Sequence, residues 1–425
     1  MICDLKRLLG MENSTPGSPS VNVNGANARV VVGLVGAGRW CDTNRGWTDL
    51  YAGVQAGLCR LGGVADVSTI CRQSVKARFR APDCPEYEDY RKLLEDRSLD
   101  AIVCSVEDHW HAPVILQALR AGKHVYVVPP LCRYLHEAFE IWDACKASGK
   151  VLQLGVQACS DQRWHKAAEL VAQGRIGPLV MAQGSYMHNI PKGEWNNPIF
   201  EWATKEDVRW DLWKKEGVQT PDSISSEDFF RWEKYYRYSA GLLARPLVYR
   251  APAYLLAMGQ TSFPRRVVAM GAQAVQSDRN TPGARRREVP EFIRVDAEFP
   301  DGSMLCLTSS SVNEAGLPEV LCGYKASIWM RGSTVELKPQ TAFVAEVTPE
   351  RFGPFPFESV EAHVTNWIES IRGNQRPNCG IELAARTQVL LSMAEISDRL
   401  SVTCLFDPAT RKTHDISGRE LRLPA

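Results

Sequence analysis

Three absences narrow the reading of this 425-residue chain before any motif is considered. No run approaches the ~18 consecutive apolar residues of a membrane span, so no membrane partner is expected. Neither sign of charge dominates. Fifty Lys and Arg stand against 49 Asp and Glu, and a net charge of +1 gives no long-range field toward nucleic acid or an anionic surface. No two of the 13 cysteines are spaced C-x-x-C, which argues against a zinc ribbon or a thioredoxin-type site. Their odd number, and a start (MICDLKRLLG) without an apolar core or a small-residue cleavage site, point to a reducing, cytoplasmic compartment. Arg285, Arg286 and Arg287 form a short basic run in a polar stretch and read as a solvated loop.

Against these absences stands an ordinary globular composition, 44% hydrophobic and 23% charged, in a chain long enough for two domains with real cores. Residues 11–27 are rich in Asn, Ser, Gly and Pro, and 1–28 read as a disordered leader. Residues 29–35 (RVVVGLV) form a β-branched run that can be buried on both faces, as in a parallel sheet. It leads into Gly36-Ala37-Gly38. The first glycine suits a tight turn and the second lets backbone amides approach a pyrophosphate at a helix N-terminus. The third position of G-x-G-x-x-G is Cys41, which weakens the motif. A second strand is expected at 64–71 (VADVSTIC), a helix at Tyr90–Leu94, a strand at 100–105 (DAIVCS) and a polar loop at 107–111 (EDHWH). A helix at 112–121, a strand at 125–128 and a closing strand at 151–156 (VLQLGV) complete a first domain of residues 29–156.

After the expected second strand comes Cys71-Arg72-Gln73-Ser74, where this fold usually has an acid for the adenosine ribose. Two readings stand. Arg72 and Ser74 hold the 2′-phosphate of NADP(H), or the adenosine pocket has decayed and the arginines are simply exposed. Either disfavours plain NAD, and the first is preferred. Residues 157–425 change pattern. A helix at 164–173 ends at Gly174, strands follow at 179–186, 267–272, 293–299 and 304–309, and late helices at 363–372 and about 381–400. This is an α+β domain on a largely antiparallel sheet. Within 187–238 lie Trp195, Trp202, Trp210, Trp213, Phe229, Phe230, Trp232, Tyr235, Tyr236 and Tyr238. Rings interleaved with Asn and Asp suit sugars; they equally suit a loop that fills a domain junction.

The layout and these motifs resemble the Gfo/Idh/MocA oxidoreductases from about Arg29 to Pro408. The resemblance implies an N-terminal Rossmann domain and a C-terminal domain on a large open sheet, through which subunits associate as homo-oligomers. It implies cofactor contacts from Gly36, Gly38, Arg39, Trp40, Ser105 and Asp108 beside Arg72 and Ser74. It places His109 or His111 of the D-H-W-H run at the cleft; H-x-H alone lacks a third ligand, so no metal is expected. In the family the strand at 125–128 ends in Glu-Lys-Pro, with the lysine between nicotinamide and sugar. Here those positions are Val128, Pro129 and Pro130. A family helix G-G-x-x-x-D-x-G-x-H corresponds to Ala240–Tyr249, with Arg245 for the Asp and Tyr249 for the His. Their i, i+4 spacing puts both on one helical face, and a cation beside a tyrosine makes it a better acid. The plainer reading is a structural arginine and a packed tyrosine. The family's sugar-side loop corresponds to His188, Asn189, Glu194, Trp195, Asp211, Trp232 and Tyr236.

Pro129 and Pro130 have neither a titratable side chain nor an N–H, so proton transfer falls to Tyr249, with Arg245 beside it, or to His109 or His111. Three functions follow. The leading one is a divergent oxidoreductase on a sugar or polyol, using NADP or NAD with NADP preferred. The second is a hydrolase or lyase on the same scaffold, able to dispense with a dinucleotide, drawing on carboxylates among Glu107, Asp108, Glu194, Asp211, Glu227 and Asp228, set roughly 5–9 Å apart in glycosidases. The third is a non-catalytic binding or scaffold protein.

Overall fold

The structure, a computed structural model, describes residues 29–38, 45–201, 207–214 and 225–423. The expected leader at 1–28, Arg39, Trp40 and Trp202 lie outside them. The first domain runs β1 (Val30–Val35), α1 (Arg45–Gln55), β2 (Cys59–Ala65), α2 (Thr69–Arg78), β3 (Glu86–Tyr87), α3 (Tyr90–Leu94), β4 (Ala101–Cys104), α4 (Asp108–Arg120), β5 (His124–Val127), α5 (Leu135–Ser148) and β6 (Leu152–Leu154). Its six strands are parallel, in the order β3-β2-β1-β4-β5-β6. Strands as apolar as VVVGLV and AIVC, buried at every position, need cover on both faces, which a doubly wound fold supplies.

Two elements differ from the sequence reading. The second strand lies at Cys59–Ala65, not at 64–71, and residues 69–78 are helical. The strand CRLGGVA carries Arg60 and two glycines in its middle and so lacks an apolar run. Gly62 is needed there, because a Cβ would stand 2.5 Å from Leu99 and from Val31. The EDHWH run is not a loop either, for α4 already begins at Asp108.

The second domain continues with α6 (Gln162–Ala172), β7 (Leu179–Asn189), α7 (Trp210–Trp213), α8 (Ser226–Phe230), α9 (Ala251–Ala257), β8 (Arg266–Ala272), β9 (Phe292–Glu298), β10 (Met304–Ser310), β11 (Val312–Asn313), β12 (Val320–Gly323), β13 (Ala326–Arg331), β14 (Thr334–Pro339) and β15 (Glu350–Phe352). It ends with α10 (Val360–Ile371), α11 (Ile381–Leu400), β16 (Cys404–Asp407) and β17 (Lys412–His414). The sheet order is β15-β14-β13-β12-β7-β10-β9-β8-β16-β17, with β11 on β7. Only the β7–β10 pair within it is parallel. Val268, Met270 and Met304 are exposed on this sheet.

The chain returns to its beginning at α10. Val364, Trp367 and Ile368 pack with Trp47, Leu50 and Tyr126 on one face of the first sheet, and Gln153 Nε2 donates to His363 O at 2.8 Å. The core of the first domain therefore includes a helix from beyond residue 156. A second tie is the Arg133–Glu395 pair at 2.6 Å, with side chains 1% and 3% exposed. Arg133 also donates to Tyr236 O through Nε and Nη2. Removing Arg133 leaves the buried Glu395 carboxylate with the Arg399 contact at 3.0 Å alone. Arg133→Ala is expected to cost about 3–5 kcal/mol of stability, measurable as a lowered denaturant midpoint with unchanged m-value.

The basic run at 285–287 is a solvated loop only in part, for Arg285 and Arg286 are exposed but Arg287 is not. Arg287 is buried against Asp278 at 2.7 Å and Arg285 pairs with Asp228 at 2.9 Å. Lys234, fully buried, donates to Asn196 Oδ1, Glu227 Oε1 and Arg285 O. Its burial lowers its pKa, while Asp278 and Glu227 support the charge. This network fixes the aromatic segment to the body of the domain. Among the described residues no helix is long and apolar enough to cross a membrane.

Candidate functional site

A cleft of about 300 Å³ opens at the C-terminal ends of β1, β2 and β4 and runs toward the second domain. Ligands of open α/β sheets bind at this edge, where strand order reverses on either side of β1. Gly36 and Gly38 line it with φ of +87° and +82°. At Gly36 a Cβ would stand 2.4 Å from Ser105 O, so β1 and β4 approach too closely there for any side chain.

Asp66 is the residue the sequence reading missed. It directly follows β2 and lines the cleft. Its carboxylate accepts from Ala37 N at 2.7 Å and Ser68 N at 2.8 Å. Burial pushes its pKa from 3.8 up to about 6, against the pull of those two amides. Arg72, the expected phosphate ligand, faces elsewhere. It is buried, donating to Asp66 O at 2.6 Å and Thr69 Oγ1 at 3.0 Å. Neither Arg72 nor Ser74 lines the cleft. The signal for Asp66 was in the sequence, as a lone acid inside the supposed strand VADVSTIC.

The inner end of the cleft is built by Val128, Trp232, Glu233, Arg245 and Tyr249. Residues 241–246 are turns and Leu247–Tyr249 is a 3₁₀ segment, where an α-helix was expected. Pro246 supplies no N–H and biases Arg245 away from the helical region. Arg245 and Tyr249 nevertheless meet at the cleft. Arg245 donates to Asp108 Oδ1 at 2.8 Å and Pro129 O at 3.1 Å, and its guanidinium lies 4.8 Å from the Trp232 ring centroid. Burial opposes its charge, but Asp108 and Tyr249 outweigh this and raise its pKa.

The D-H-W-H residues split. Asp108 is wholly buried and does not line the cleft; it accepts from Arg245 and from Ser239 Oγ at 2.7 Å. Its pKa is about 6, raised by burial and held down by Arg245. Neither histidine reaches the cleft. His109 is buried against Trp213 and Tyr238, with ring centroids 5.7 and 5.1 Å away. His111 lies between Pro130 O at 2.7 Å and Val106 O at 3.0 Å, and burial, then Arg245, lowers its pKa to about 4. Both pack inside the protein, away from the cleft. The polar look of the run misled because Asp108 and His111 have buried partners. Ser105 does line the cleft.

Of the expected sugar-side residues, Trp232 alone lines the cleft. His188 pairs with Glu194 at 2.7 Å at the far end of β7. Asn189 pairs with Val312 in the sheet, and Trp195 lies 6.0 Å from Arg287. Asp211 is exposed on Arg209, and Tyr236 stacks with Arg399 at 4.3 Å. The aromatic segment packs as a small core and also forms part of the cleft wall. Phe230, Tyr235 and Tyr238 form a small core with Val208, while Trp213, Phe229 and Trp232 turn toward the cleft. Five carboxylates line the space, Asp66, Glu88, Asp89, Glu107 and Glu233, against the cations Arg91 and Arg245 among the described residues.

Residues 30–156 match the family described as an oxidoreductase family with an NAD-binding Rossmann fold, GFO_IDH_MocA. An alpha-N-acetylgalactosaminidase of Shewanella oneidensis is 26% identical over 117 residues, 27% of this chain and 26% of that protein. An inositol 2-dehydrogenase/D-chiro-inositol 3-dehydrogenase of Lactiplantibacillus plantarum is 30% identical over 108 residues, 25% of this chain and 31% of that protein. These curated relatives are thus matched over about a quarter to a third of their length. A levoglucosan dehydrogenase solved with NADH and levoglucosan shares the fold with a TM-score of 0.64 at 15% identity, covering 91% of this chain and 99% of that one.

Proposed function

We propose that this chain, whose residues 30–156 match the oxidoreductase family GFO_IDH_MocA with its NAD-binding Rossmann fold, is a member of that family, binds a nicotinamide dinucleotide across the ends of β1, β2 and β4, and acts on a sugar or polyol. The carrying observation is Asp66, a carboxylate at the end of β2 in the wall of the cleft. The residues fit the group. Gly36 and Gly38 supply a turn free of side chains, and Asp66 supplies acceptors for two ribose hydroxyls. A carboxylate at that position repels a 2′-phosphate, and Arg72 is committed to Asp66 O and Thr69. The preference therefore goes to NAD over NADP, the reverse of the expectation from Arg72 and Ser74.

When bound, the dinucleotide supplies a hydride acceptor. The chain's own residues do the rest. Arg245, held by Asp108, keeps a positive charge beside the substrate oxygen. Tyr249 takes or returns the hydroxyl proton, and Trp232 offers a ring face to the sugar. Mixing NAD-loaded protein with a panel of aldoses and cyclic polyols is expected to give reduced nicotinamide fluorescence with at least one of them. No reduction with any member, in protein shown to hold NAD, contradicts the dehydrogenation reading. The exposed Val268, Met270 and Met304 support association of subunits through the open sheet.

The glycosidase relative and the acidic lining of the cleft favour one second reading, cleavage of a sugar bond. Glu107 and Glu233 are then the carboxylates to replace, because both line the cleft. Glu194, Asp211, Glu227 and Asp228 do not.

A further inference from the structure

Residues 207–213 leave the second domain and lie across the first. Val208 bridges to Ser68 in antiparallel fashion. Thr69 N donates to Asp207 O at 3.2 Å, and Arg209 N to Val67 O at 3.0 Å. The Asp207 carboxylate accepts from Ser68 Oγ at 2.7 Å and Ile70 N at 3.0 Å. Arg209 pairs with Glu88 after β3. At the other end Trp213 Nε1 donates to Glu107 Oε1 at 2.9 Å, and Trp110 Nε1 to Trp213 O at 2.8 Å. Val208 and Trp213 are 1% and 2% exposed. The segment is therefore tied to the loops after β2, β3 and β4, which frame the adenosine side of the cleft, and Leu212 and Trp213 form part of the cleft wall.

We infer that residues 207–213 are a strap that retains the dinucleotide, so that it leaves slowly and serves as a resident group rather than a freely exchanging co-substrate. This rests on the cofactor reading above. Asx-type bonding of Asp207 to the first turn of α2 fixes the strap directly beyond Asp66. An adenosine held by Asp66 sits beneath residues that must part before it can go.

The test is the release of NADH from the intact chain, followed by stopped-flow loss of tryptophan-to-NADH energy transfer during a chase with excess NAD. Asp207→Ala removes two hydrogen bonds to a charged acceptor and is expected to speed release roughly tenfold or more. Arg209→Ala, which loosens the strap from its exposed side, is expected to speed release less, and it serves if Asp207→Ala does not fold. Unchanged release in both folded variants overturns the strap. Tighter binding in either variant also overturns it, because the segment then obstructs the site. Absence of NADH binding in wild type and variants alike overturns the cofactor reading itself, and the strap with it.

Discussion

Replacing Asp66 by alanine is expected to lower the affinity for NADH by roughly 10²–10⁴-fold, since each of two hydrogen bonds to a charged acceptor is worth about 1.5–3 kcal/mol and about 1.4 kcal/mol is a factor of ten. Two ribose hydroxyls lose their acceptor. Asp66→Asn keeps an oxygen and one of the two backbone contacts, so its loss is smaller. The same residue sets a pH dependence. Its folded pKa of about 6 means the acceptor is ionised above that pH and protonated below it. Binding requires the ionised form. Affinity is therefore level above pH ~6 and falls about tenfold per unit below it, and Asp66→Asn removes the dependence. The effect on folding has the opposite sign. A carboxyl raised from 3.8 to about 6 holds its proton more tightly in the folded chain, so its contribution is favourable at low pH and is lost as pH rises through that window. Calorimetric titration with NADH at several pH values reads the first effect and thermal unfolding the second.

Tyr249→Phe is expected to lower kcat by about 10²–10⁴ with little change in KM, the range for removing a positioned proton-transfer group. Among the described residues the other candidates for proton transfer drop out. Val128, Pro129 and Pro130 carry no proton. His109 and His111 are buried away from the cleft. Asp108 is buried and committed to Arg245 and Ser239. At the inner end of the cleft Tyr249 and Glu233 remain. The two are separable. If Glu233 takes the proton, Glu233→Gln carries the loss and Tyr249→Phe is mild. Arg245→Lys is the companion test. A lysine keeps the charge beside Asp108 but not the forked contact to Asp108 and Pro129 O, so it retains folding better than it retains rate.

The sequence made the scaffold legible because parallel strands buried on both faces read as unbroken apolar runs. Residues 29–35, 100–105 and 125–128 are of that kind. The second strand was not, because the packing of Leu99 and Val31 demands Gly62 where an apolar residue would have marked the strand. That misplacement hid Asp66 and promoted Arg72. The Arg245–Tyr249 pair was visible as spacing alone. Its conformation was not, since Pro246 breaks the helix while the turns still carry both side chains to one place. Asp108, His109 and His111 looked like a site because they are polar. Only the fold reveals that Arg245 and Ser239 satisfy Asp108 and that His111 lies between two backbone carbonyls, inside the protein. The strap at 207–213 had no signature, because its bonds join residues far apart in the chain.

The account stands on a dinucleotide lying beside Asp66, and paired fluorescence titrations with NADH and NADPH at neutral pH test it most directly. Trp110, Trp213 and Trp232 line the cleft, so binding is expected to quench tryptophan emission, with NADH bound at least tenfold more tightly than NADPH. Tighter binding of NADPH would contradict the role given to Asp66, and no quenching by either at millimolar concentration would contradict the account as a whole.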